Sequence, residues 1–237
     1  MLCLIIHRVW KGETYMNNKQ IKLDRLTCTD GMALTDRSYN ITIGLVLLWG
    51  FLLNVITARL LTPHILRINQ WVVLIGYFVI SFGCMALIFK SHRPAVSFLG
   101  FTGLAFAMGV LLTFFLTAYS NSSVYTAFLT TGIIVVSMMI AAIFFPAFFL
   151  SLGRVLGVCL IAAIVIELIF GLIFRVPLNI LDYVIVAVFA GYVGYDWAKA
   201  QSYPKTLDNA IDSAADIYVD VVNIFIRILS IVGRSDN

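Results

Sequence analysis

From Ile41 onward the chain alternates long apolar runs with short polar breaks. Six runs, at roughly 41–61, 71–89, 95–118, 124–148, 156–174 and 180–198, each approach the roughly 20 residues of helix that a hydrocarbon core requires. Their boundaries coincide with prolines that cannot sit inside a helix: Pro63 follows the first run, Pro94 opens the third, Pro146 ends the fourth, Pro177 precedes the sixth and Pro204 follows it. Short breaks predict antiparallel neighbours in one compact helical bundle over 41–234, with no separate soluble domain. Small residues at close-packing spacing, Ala105 and Gly109, Ser137 and Ala141, Ala187 and Gly191, and Gly194 and Ala198, are expected to let backbones approach in lipid.

A seventh stretch, 217–233, is shorter and polar on one face. It continues a helix in which Asp208, Asp212, Asp216 and Asp220 follow one another at i+4, so that four carboxylates share a face with Asn223 and Arg227. Lipid does not tolerate such a face, so this segment is expected to be shielded by the other six. A carboxylate at membrane depth costs about 2.5 to 3.5 kcal/mol on insertion scales, which makes Asp220 a functional candidate. Asp196, near the end of the sixth run, is the acid expected to meet it. Two carboxylates a few ångströms apart in a dry site cannot both ionise cheaply; they share a proton and respond to pH. The competing reading is that Asp196 ends its helix at the membrane interface. Asp208 and Asp212 are expected to be solvated, at a helix N-terminus that favours negative charge.

Composition agrees with a membrane class: 61% of the 237 residues are hydrophobic and 12% charged, where soluble domains have about a quarter charged. The net charge of +4 carries no nucleic-acid signal, because the basic residues cluster in residues 1–40 and in short loops. That N-terminal segment is read as polar and disordered, and its opening MLCLIIH is too short for a signal-peptide core. With the N-terminus in the cytoplasm, its basic residues join Lys90, Arg93, Arg154, Lys199 and Lys205 inside, against Arg59, Arg67 and Arg175 outside. Whether 217–233 crosses or re-enters stays open on charge alone. The four cysteines, Cys3, Cys28, Cys84 and Cys159, lack paired spacing, and two are read as buried in membrane helices. No nucleophile triad, HExxH or phosphate loop is present, so no enzyme and no cofactor are expected.

Glu167, in the middle of the fifth run, has two readings: a second station on an ion path, or a buried acid hydrogen-bonded to Tyr183, Tyr192 or Tyr195. Asp182 shares a helix face with Asp196 and is expected at the interface. His92 is expected in solvent.

The run DNAIDSAADIYVDVVNIFIRILSIVGR, preceded by FAGYVGYDWAKA, resembles the C-terminal signature of the Bax inhibitor family, also called the transmembrane Bax inhibitor motif family. The glycine-bearing third run, FLGFTGLAFAMG, adds to the likeness. The resemblance, to a prokaryotic-type member, implies a seven-helix bundle with the last helix in the middle. It implies a proton-sensitive calcium leak channel in which Asp196 and Asp220 are the pH-responsive pair, in a bacterial cytoplasmic membrane. Asp216 and Glu167 are supporting candidates. Lys90 and Arg93 stand near the place where the family has a basic partner for the first Asp, although KSHRPAV departs from the family register. Calcium takes 6 to 8 oxygen ligands, so Asp196 and Asp220, with water and backbone carbonyls, suit weak transit rather than storage. Eukaryotic members suppress cell death in endoplasmic reticulum membranes, and bacterial ones include partners that restrain a membrane-bound protease. A membrane binding module of that kind is the alternative to the channel.

Overall fold

The computed structural model describes residues 33–91, 93–170 and 179–235. The expectations for residues 1–32, His92, Arg175 and Pro177 lie outside the described residues. The described chain is helical without strands. Its elements are α1 (Asp36–Leu60), α2 (Thr62–Ile65), α3 (Gln70–Lys90), α4 (Pro94–Thr117), α5 (Asn121–Phe144), α6 (Pro146–Ser151), α7 (Gly153–Leu168), α8 (Asn179–Ser202) and α9 (Leu207–Ser235).

Five of the six expected runs reappear as long helices with boundary changes; the fifth, expected over 156–174, is described as the 16-residue α7, with 171–174 outside the described residues. Among the described residues α1, α3, α4, α5 and α8 are long and apolar enough to cross a membrane. The first run starts earlier than its apolar core, at Asp36, because Thr35 caps it by accepting a hydrogen bond from the Ser38 amide at 3.2 Å. The fourth divides into α5 and α6 at Phe145, since Pro146 can open a helix but not continue one. α9 is one continuous helix of 29 residues, about 43 Å at 1.5 Å per residue. Thr206 caps it, its hydroxyl accepting from the Asn209 amide at 3.2 Å.

The chain divides into two compact units, and α9 contributes to both. In the first, residues 33–118 and 203–218, α4 packs on α1 and α3, and the core is Tyr39, Ile43, Phe101, Leu104, Met108 and Tyr218. Phe101 meets the Tyr218 ring edge-on at 5.4 Å between centroids. Gly50 makes room for this pair: a Cβ there would stand 2.7 Å from Phe101 Cζ and 3.0 Å from Tyr218 Cε2. Tyr218 donates a buried hydrogen bond to Asn54 Oδ1 at 3.0 Å. The start of α1 is tied to the link between α8 and α9: the Leu34 amide donates to the Lys205 carbonyl at 2.7 Å, and the Lys205 ammonium lies 4.5 Å from the centroid of the Tyr39 ring. Burial lowers the Lys205 pKa from its ordinary value, with Asp36 opposing the shift.

In the second unit, residues 119–202 and 219–235, α8 packs on α5, α6 and α7. Gly194 and Gly191 of α8 admit Phe149 and Leu156 respectively. One member of each of two expected small-residue pairs, Ser137 and Ala187, is exposed instead, although Gly191, the partner of Ala187, faces Leu156. Cys84 and Cys159 are free thiols on α3 and α7; Cys84 is half-buried, whereas Cys159, expected inside, is exposed.

Candidate functional site: buried acids and their basic partners

α9 is where the sequence concentrates polarity, and no residue of it from Asp208 to Gly233 is exposed. Burial therefore takes in three of the four acids of its ladder. Asp212 is 2% exposed, Asp216 7% and Asp220 0%. This corrects the expectation that Asp212 is solvated. Asp208 is half-buried and accepts a hydrogen bond from Ser97 Oγ of α4 at 2.7 Å. The physical reason lies in the apolar residues between the acids: burying Ala210, Ile211, Ala214 and Ala215 on the other faces of the same turns carries Asp212 inward with them.

Asp196 is buried at 3% exposure, nearly two turns before the end of α8, so it does not end its helix in solvent. Its carboxylate lies 3.8 Å from the ammonium of Lys199, three residues on along the same face. The basic residues suggested by the family resemblance, Lys90 and Arg93, are exposed at the end of α3 and at the N-cap of α4.

The second unit holds a charge network that sequence reasoning missed. Arg227 of α9 donates through Nη1 to Asp182 Oδ1 of α8 at 2.6 Å, and through Nη2 to Glu167 Oε1 and Oε2 of α7 at 3.0 and 2.9 Å. Arg234, almost two turns further along α9, donates to the other Asp182 oxygen. Two carboxylates and two guanidiniums thus form an electrically balanced chain across three helices. Asp182 is buried at 5% exposure, which corrects its expected place at the interface; paired charges can be buried where lone ones cannot. Glu167 takes the guanidinium where a tyrosine hydroxyl was the bland expectation. Removing one partner of a buried pair costs about 3–5 kcal/mol, because the other charge is left without compensation.

These contacts also set the register of α8 against α9. Both Arg227 and Arg234 reach Asp182, so the end of α9 lies beside the start of α8 and the two run antiparallel. Asp196 is 14 residues beyond Asp182, about 21 Å along the axis, and Asp220 precedes Arg234 by the same 14 and Arg227 by 7. The two acids therefore sit between level and about 10 Å apart along the helix axes, depending on which arginine marks the height of Asp182. Among the described residues no three His, Cys, Asp or Glu side chains group as metal ligands.

A sequence profile of the family described as "Inhibitor of apoptosis-promoting Bax1" matches residues 32–237. Uncharacterized membrane proteins of Streptococcus pyogenes serotypes M3, M6 and M1 are each 25% identical over 135 residues, covering 54% of this chain and 59% of theirs. The chain thus spans less than two thirds of the length of the curated relatives it matches. No solved structure matches it.

Proposed function

Because the chain belongs to the Bax inhibitor family, we propose that this multi-pass membrane protein is a pH-sensitive leak channel for calcium and related cations, gated by Asp196 and Asp220. In this reading α9 is the axis of a seven-segment bundle, and the lack of exposed residues from Asp208 to Gly233 supports that role. The observation that carries the reading is the pair itself: two acids, 3% and 0% exposed, on consecutive antiparallel helices of one unit. With the pair holding a single proton, a cation meets one negative charge; with both ionised it meets two, and the mutual repulsion favours their separation. Lys199 offers an ammonium that competes with a passing cation for Asp196. Calcium would be held in passing by the two carboxylates, water and carbonyls. The N-terminus is cytoplasmic in this proposal, and neither an enzymatic step nor a cofactor belongs to it.

The test is calcium flux into liposomes holding the purified protein, measured from about pH 5 to 8. Asp196→Asn and Asp220→Asn each keep the side-chain shape while removing a charge, so each should flatten the pH profile to within about twofold, and the double variant should add little beyond either. Asp36→Asn, at an exposed position in the first turn of α1, serves as the control and should leave the profile unchanged. Wild-type profiles in both single variants would defeat the paired-acid mechanism. A wild-type protein that passes no calcium at any pH would favour the membrane binding module instead.

A further inference from the structure

Resting on the cation-leak reading, we propose that Glu167, Arg227, Asp182 and Arg234 form an ionic clasp that closes the conduction path at the end remote from Asp196. Glu167 comes from α7, Asp182 from α8 and both arginines from α9, so the clasp joins three helices at one end of α8. Asp196 stands about 21 Å away at the other end of that helix. The shared geometry makes the group a unit. Arg227 divides its fork between two helices, and Asp182 divides its two oxygens between two arginines. Helix packing alone does not call for this arrangement, since apolar residues of similar volume fill a core at lower desolvation cost. A cation moving along α9 past this level would have to part a guanidinium from its carboxylates, because Arg227 is held between Asp182 and Glu167. The outer members are partly open: the Glu167 side chain is 34% exposed and that of Arg234 37%, against 10% for Arg227 and 8% for Asp182. The clasp is therefore accessible from its ends and sealed at its centre.

Glu167→Gln is the informative variant, since it removes the charge at an accessible end and keeps the shape. Two readouts are taken on the full-length protein with its four cysteines replaced by serine: calcium flux in liposomes, and the distance between spin labels on Ile166→Cys of α7 and Tyr183→Cys of α8, whose native side chains are 39% and 59% exposed. The clasp predicts that Glu167→Gln raises flux about fivefold or more and adds a longer-distance population between α7 and α8. A fall in flux with the distance unchanged would make Glu167 a station on the ion path and overturn the clasp. If the wild type conducts and neither readout moves, the clasp fails while the channel reading stands. If the wild type does not conduct but the distance lengthens, the ionic tie between α7 and α8 is real, while the channel reading fails and takes with it the tie's role in closing a path. Should Glu167→Gln not fold, Arg234→Gln at the other accessible end is read in the same two ways, with the same expected directions.

Discussion

Arg227 shows how far a single residue can be read from its neighbours in sequence. Its place on the polar face of α9 follows from i+4 spacing with Asn223 and i+7 spacing with Asp220, but its partners, Asp182 and Glu167, are 45 and 60 residues away. The signal was present in a weaker form, because an arginine within an apolar segment demands a carboxylate and only a few lie in the preceding helices. Lys199 was within reach of sequence reasoning, three residues after Asp196 on one helix face. The network also grades its members by burial. Arg227→Ala should cost about 3–5 kcal/mol of stability, because Asp182 and Glu167 lose a shared partner in a dry setting. Arg234→Ala should cost about 1 kcal/mol or less, since its side chain is 37% exposed and Arg227 still holds Asp182. Thermal unfolding in detergent of the two variants side by side measures this ordering; equal losses would remove the graded network.

At the scale of elements, α8 takes its position from the residues it lacks. Gly194 faces Phe149 of α6 and Gly191 faces Leu156 of α7, so that both neighbours lie in a groove along one side of the helix. Small-residue spacing located that groove, but not the partners, and it also singled out Ser137 and Ala187, which face outward. A small residue permits close approach without requiring it, so spacing alone cannot say which side of a helix meets another. Gly194→Val should destabilise by about 1–3 kcal/mol through overpacking against Phe149. Combining it with Phe149→Ala should recover part of that loss, since each change supplies the space the other lacks. Thermal melts of the two single variants and the double form a cycle whose coupling should be favourable. A purely additive double variant would show that Phe149 is not what the glycine accommodates.

For the whole molecule, the open question from charge counting was whether the last segment crosses or re-enters. α9 is continuous over 29 residues, and its Arg234 end reaches the first turn of α8. A helix of that length beside an antiparallel spanning partner has the reach to cross, which predicts opposite sides for its two ends. Reporter fusions after Arg93 and after Lys205 should report the cytoplasm, and a fusion after Asn237 should report the other side. A cytoplasmic signal at all three positions would restore the re-entrant alternative.

The sequence by itself determined the membrane class, the order of the helical runs, their proline boundaries and the acidic ladder of α9. Each of these is local: a bilayer demands about 20 apolar residues in succession, a proline breaks a helix where it stands, and i+4 spacing defines a face without reference to anything else. Only the tertiary structure decided which charges meet. Rotating a helix about its axis by one residue's 100° turns a side chain from a partner toward lipid, and sliding it by one turn moves that side chain about 5.4 Å. That is why Asp212, which read as solvated, is enclosed, and why Asp182, which read as interfacial, lies between two arginines. Rotation and register are set by packing summed over many apolar contacts between distant parts of the chain, and no local pattern encodes that sum.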